Sequence, residues 1–189
     1  MGKKSKKSLR FALLLENGSE LLSATLAIRY CLNHNHEVLV ISPKGDHIRT
    51  WNRDNWGDML TVNESTPKDS EGFDVLVIPG GMASALKLRS DRRTVVFVRS
   101  FLSQKKILIA ENYAIQVLLE SPSIKNHEVT SPEPIKTDVE NAGCKWSGDF
   151  ICFDGNLVTC QESVDLGKVL QQLTPARKKV DKVKPMTSK

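Results

Sequence analysis

Three short segments hold residue types that can do chemistry: Glu16-Asn17-Gly18-Ser19-Glu20, Pro79-Gly80-Gly81-Met82 and Glu111-Asn112-Tyr113-Ala114. Two carboxylates with separated pKa values can move protons or assist hydrolysis without a covalent step, so Glu16, Glu20 and Glu111 are acid–base candidates, with Tyr113 beside them. Gly80 and Gly81 allow backbone angles closed to other residues and can present N–H groups to a ligand. Around Glu111-Asn112 an apolar run turns abruptly into a helical pattern, a geometry in which a tight turn lifts one side chain above a sheet edge. Cys160 is a thiol candidate near the end of another apolar run, although cysteine is also a common small buried residue.

The four cysteines, Cys31, Cys144, Cys152 and Cys160, have no C-x-x-C spacing. With no secretory leader pattern they read as reduced thiols of a cytoplasmic protein. Cys31, His34 and His36 are close in sequence but span the end of a helical pattern and the start of a strand, with no second ligand pair nearby. No metal and no cofactor are expected. Trp51, Trp56 and Trp146 read either as walls of a ligand pocket or as anchors of a subunit contact.

Side chains in these loops are useful only if regular elements hold them. Phe11–Leu15, Val38–Ile41, Val75–Ile78 and Ile107–Ala110 are short unbroken apolar runs, as strands buried on both faces require. Between them, residues 20–33, 91–104 and 113–120 are helix-length. Of these, 91–104 puts Val95, Val96, Val98, Phe101 and Leu102 largely on one side. Strands alternating with helices predict a parallel sheet covered on both faces, and such sheets carry their sites beyond the carboxyl ends of the strands. Taken singly, each of the three loops is an ordinary βα turn. Their convergence on one edge is what points to function.

The chain has 189 residues and a formal charge of +5. Residues 1–10 contribute +5 with no acid, and Arg177, Lys178, Lys179, Lys182, Lys184 and Lys189 against Asp181 contribute another +5, leaving −5 for the remainder. An acidic body with basic ends is not the footprint of a nucleic-acid-binding domain, so nucleic acid is not an expected partner. No apolar run approaches the roughly 18 residues of a membrane span, and no membrane association is expected. The charge and hydropathy pattern predicts basic, disordered tails at 1–10 and 174–189 around a single domain at 11–173.

Asp74-Val-Leu-Val-Ile-Pro-Gly-Gly-Met82, Leu88-Arg-Ser-Asp91 and Val95-Val-Phe-Val-Arg-Ser-Phe101 resemble motifs of the ThiJ/PfpI (DJ-one) superfamily. The likeness continues through Thr130-Ser131, Asp138, Asn141-Ala-Gly-Cys-Lys-Trp146, Asp154-Gly-Asn-Leu-Val-Thr159 and Asp165-Leu166. Residues 45–58 look like a loop of its PfpI-type intracellular protease and stress-protein branch. The resemblance runs over roughly 10–172. It implies a flavodoxin-like, class I glutamine amidotransferase-like three-layer α/β sandwich with a mostly parallel central sheet, usually assembled as homodimers or higher homo-oligomers. It also implies peptidase, glyoxalase or deglycase activity, with stress roles alongside, and a cysteine nucleophile followed by histidine at the elbow. A first-loop glutamate contacts that thiol.

This sequence departs from the pattern at each of those positions. The cysteine position holds Asn112, the histidine position Tyr113, and the second glutamate of the first loop falls on Ser23. An amide nitrogen has a delocalised lone pair and cannot attack a carbonyl, a phenol of pKa about 10 has no evident base beside it, and a serine supplies no carboxylate. Asn is nevertheless among the non-glycine residues most tolerant of positive φ, so the elbow itself can persist. The expectation is a non-catalytic homologue, a pseudoenzyme with a binding or stress-related role, taking a small-molecule ligand at the elbow pocket. The alternative is a cysteine-independent hydrolase or lyase working through Glu111, Glu16 or Glu20. The pocket candidates are Glu16, Glu20, Gly80, Gly81, Glu111 and Cys160.

Overall fold

The computed structural model describes residues 8–173. Residues 1–7 and 174–189, which hold most of the two expected disordered tails, lie outside the described residues. Arg10, assigned to the first tail on charge alone, instead opens the first strand. Its backbone pairs with Glu37, its Nε lies 3.2 Å from the Glu37 carboxylate, and its guanidinium sits 4.9 Å over the Phe73 ring.

In chain order the strands are β1 (Arg10–Leu14), β2 (Glu37–Ser42), β3 (His47–Asn52), β4 (Asn55–Thr61), β5 (Glu64–Ser65), β6 (Val75–Ile78), β7 (Ile107–Glu111), β8 (Glu128–Val129), β9 (Lys145–Trp146), β10 (Ile151–Asp154) and β11 (Leu157–Cys160). The helices are α1 (Leu21–Asn33), α2 (Met82–Ser90), α3 (Arg92–Ser103), α4 (Ile115–Leu119), α5 (Lys136–Asn141) and α6 (Ser163–Gln172). Seven strands form the central sheet in the order β10-β11-β7-β6-β1-β2-β5, parallel throughout except for β10 against β11.

The four apolar runs show why this sheet is buried on both faces. Phe11, Leu13, Val75, Val77 and Ile109 point into one apolar cluster with Ala24, Ala27 and Cys31 of α1 and Leu166, Val169 and Leu170 of α6. Ala12, Leu14, Leu76, Ile78, Leu108 and Ala110 point into the other, against Leu88, Phe97, Phe101 and Val117 of α2, α3 and α4. Alternate side chains of these four runs therefore feed opposite layers, so both faces of the central strands are apolar. The result is the three-layer α/β sandwich.

Helices 20–33 and 91–104 lie where the sequence puts them, and Asp91 accepts from the Thr94 N–H to start α3. Val96, expected on the apolar side of α3, faces solvent. Residues 45–58 are not a plain loop. They form most of the antiparallel β3–β4 hairpin, which crosses the start of α1 and is tied to the first loop by Trp51 N–H to Ser19 O (2.8 Å) and Gly18 N–H to Arg49 O (2.8 Å). Helix α2, with its mixed polar and apolar sequence, has no periodic signal, and the residues it buries are Ser84, Ala85 and Leu88.

Strands β1 and β6 are neighbours whose crossovers run to opposite faces, α1 to one and α2–α3 to the other. That leaves a crevice at their carboxyl ends, into which the three chemically loaded loops all emerge.

Candidate functional site

The loops after β1 and β6 are locked together by close backbone approach. Glu20 N–H donates to Gly80 O at 2.9 Å, and a Cβ added to Gly81 would meet Gly18 O at 2.2 Å. Gly81 also has φ +116°, so both space and backbone angle require glycine there.

At the end of β7 the elbow is intact: Asn112 has φ +56° and begins a short 3-10 turn leading into α4. The Asn112 side chain makes two hydrogen bonds, both to backbone groups. Its Oδ1 accepts from Tyr113 N–H at 2.9 Å and its Nδ2 donates to Gln161 O at 2.7 Å, fastening the elbow to the turn that follows β11. Such local bonding is what lets Asn occupy the left-handed region.

Beside the elbow, Glu111 is 2% exposed. Its Oε2 accepts from Gly80 N–H (3.1 Å), and its Oε1 accepts from Ser23 Oγ (2.8 Å) and Ser163 Oγ (3.1 Å). The two serine oxygens are themselves 2.7 Å apart. Three oxygen–oxygen contacts need three hydrogens and the two hydroxyls supply two. A proton on Glu111 Oε1 completes the ring, with Oε1 then donating to one serine oxygen and accepting from the other hydroxyl. Burial raises the Glu111 pKa; the bonds from Ser23, Gly80 and Ser163 oppose the shift, and the charge of Glu20 adds to it. Both arguments favour the neutral acid. Ser23, at the position the family resemblance gives to a glutamate, thus touches a carboxyl delivered from β7 rather than supplying one.

Glu20, Gly80, Gly81, Glu111, Asn112 and Tyr113 surround one cavity of about 500 Å³. Trp51, Glu162 and Ser163 complete its walls, while Leu22, Met82 and Val164 stand at 54%, 52% and 58% exposure around it. Burial raises the Glu20 pKa as well.

Ser23, which reaches the site only through Glu111, and two pocket candidates, Glu16 and Cys160, are not among the lining residues. Glu16 is buried at the base of the first loop, where its Oε1 accepts from the Asn17 N–H (2.8 Å) and Asn17 Nδ2 (3.1 Å), and it faces a separate cleft with Lys44 and Lys87. Cys160 is fully buried in the apolar cluster shared with α1 and α6, and burial pushes its thiol far above the ordinary range. It pairs in register with Glu111, but it packs into the core instead of opening to the cavity. The other cysteines are buried too, Cys31 raised to about 12 and Cys144 and Cys152 to about 11. Trp51 lines the cavity with Trp56 edge-on at 5.4 Å, whereas Trp146 lies apart, bonding Ser131 Oγ through Nε1.

Sequence reasoning missed Ser163 and Glu162. They follow β11 and begin α6, a further strand-to-helix turn on the same sheet edge. The polar run Gln161-Glu162-Ser163 after an apolar strand was the available signal.

The DJ-1/PfpI family matches residues 9–174. A deglycase of Thermococcus kodakarensis is 28% identical over 163 residues, 84% of this chain and 93% of that protein. A deglycase of Pyrococcus abyssi is 32% identical over 136 residues, 69% and 76% respectively. A Bacillus subtilis protein bearing a cysteine-protease name, YraA, is 34% identical over 111 residues, and that alignment spans 58% of this chain and 65% of YraA. Among solved structures, Drosophila melanogaster DJ-1beta shares the fold with TM-score 0.78 at 21% identity, over 88% of this chain and 89% of that one. So does a two-domain Anabaena variabilis protein with DJ-1/ThiJ/PfpI-like and ferritin-like domains, with TM-score 0.79 and 24% identity, over 93% of this chain and 52% of that one.

Proposed function

Because the chain belongs to the DJ-1/PfpI family, we propose that it is a non-catalytic member that has kept the elbow cavity as a binding site. The observation carrying this reading is the state of Asn112. The strained elbow conformation persists, yet the side chain it presents is an amide, held to backbone groups by one bond from its nitrogen and one to its oxygen. No thiol supports an escape route, since all four cysteines are buried and their pKa values are raised. The relatives named deglycase or protease suggest the assay. Purified protein should consume methylglyoxal and hydrolyse peptide no faster than a Cys160→Ser, Glu111→Ala double variant. Turnover well above that control overturns the reading.

A second reading has one observation in its favour: Ser163 Oγ lines the cavity and lies 3.1 Å from Glu111 Oε1, the spacing of a hydroxyl and its general base. It requires Glu111 to be ionised during turnover. Activity lost in Ser163→Ala and rising with pH through the Glu111 ionisation would support it.

A further inference from the structure

The walls of the cavity have a chemical bias that the elbow reading leaves open. Its ionisable side chains are Glu20, Glu111, Tyr113 and Glu162, with no lysine, arginine or histidine among the lining residues. Glu111 is saturated by Gly80, Ser23 and Ser163, so its carboxyl is not offered to a ligand. Glu20 and Glu162 differ. Each stands immediately before a helix, α1 and α6, yet neither makes a side-chain capping bond. Neither carboxylate has a salt bridge or a hydrogen bond among the described residues. The starts of α1, α2 and α6 each carry roughly half a positive charge toward the crevice. Two full negative charges at two of those starts exceed that partial charge. Trp51 and Tyr113 line the same cavity, and Leu22, Met82 and Val164 add half-exposed apolar side chains to it. Carboxylates, aromatic side chains and apolar side chains lining one cavity are the elements that hold an alkylated ammonium or guanidinium group, by charge, cation–π attraction and burial of its carbon chain.

We propose that this cavity binds a small organic cation, a primary amine or guanidine on a short alkyl chain, with its charged head between Glu20 and Glu162 and its chain against Trp51 and Tyr113. The assignment rests on the binding reading above and adds the class of ligand.

The probes are n-butylammonium, n-butyrate and n-butanol, matched in shape and differing in charge, titrated into the full chain and followed by the amide resonances of Gly80, Gly81 and Ser163. Butylammonium should shift these resonances saturably, more weakly at higher salt. The Glu20→Gln, Glu162→Gln double variant should raise its Kd roughly tenfold or more while leaving amide positions elsewhere unchanged. Butyrate should have no saturable effect. Butyrate or butanol binding at these amides in place of butylammonium overturns the charge assignment and leaves the binding reading standing. No saturable shift with any of the three overturns both. Butylammonium binding that the double variant does not weaken overturns the placement of its head group.

Discussion

The ring of Glu111, Ser23 and Ser163 makes a prediction whose sign is set by hydrogen counting. A carboxylic acid held neutral by burial has a folded pKa above its unfolded value of about 4.3. In the window between those two values the native state binds a proton that the unfolded chain has released, so unfolding free energy falls as pH rises. The stability contributed by the neutral acid is fully present below the unfolded pKa and is lost as pH rises through the folded one. While that window lasts, the slope is about 1.4 kcal/mol per pH unit from this single group. Glu111→Gln removes the ionisation and keeps the shape. The carboxamide oxygen can accept from Gly80 N–H as Oε2 does, and its NH2 can donate to the serine oxygens, although the bond that Oε1 accepts in the neutral acid is not reproduced. Urea unfolding followed by circular dichroism, from pH 4.5 to 8 in half-unit steps, gives the difference between variant and wild type directly. Glu111→Gln should gain on wild type by about 1.4 kcal/mol per unit as pH rises from the lower limit, then level off once wild-type Glu111 ionises in the folded state. Glu111→Ala should show the same rise with pH relative to wild type, displaced downward by ~1–3 kcal/mol for the orphaned Gly80 N–H alone. Parallel curves for Glu111→Gln and wild type, or a variant that loses ground as pH rises, would refute the protonated ring.

The same geometry constrains any attempt to rebuild family chemistry. Ser23→Glu alone should destabilise by ~2–4 kcal/mol, because it forces a second carboxyl into a packed site already filled by Glu111, and Glu111→Ile should recover most of the loss in a double-mutant cycle. Only the combination Asn112→Cys, Tyr113→His, Ser23→Glu, Glu111→Ile should then yield a thiol that iodoacetamide labels rapidly at pH 7; labelling of the Asn112→Cys single variant at the same rate would show that the relocated carboxyl is irrelevant. The four native cysteines should label with dithionitrobenzoate only on unfolding, as raised thiol pKa values and burial require; fast labelling of Cys160 in the native protein contradicts its placement. Gly81→Ala should cost ~2–4 kcal/mol in thermal or urea unfolding, from the close approach to Gly18 O and the unfavourable φ together; a shift under 0.5 kcal/mol would mean that the two loops are not locked.

What the sequence determined by itself was the scaffold and the absences on it. Four unbroken apolar runs are enough to specify strands buried on both faces, and strands separated by helix-length segments are enough to order most of them into a parallel sheet. That Asn112 stands where the family resemblance implies a nucleophile is also a reading made without coordinates, and an amide cannot do a thiolate's work wherever it sits. The β3–β4 hairpin was not readable, since its residues alternate poorly and its place depends on backbone bonds to Gly18 and Ser19. Only the tertiary structure decided which carboxyls belong to the cavity. Glu16 and Glu20 are four residues apart, yet one bends back onto Asn17 and the other faces the crevice. Cys160 and Glu111 share a register on adjacent strands, yet one is core and the other lines the site. Above all, Ser23, Glu111 and Ser163 come from α1, β7 and α6, separated by 88 and 52 residues, and no local pattern links them. A hydrogen-bonded ring is a property of distances, and long-range distances are set by how the layers pack rather than by any one segment's sequence.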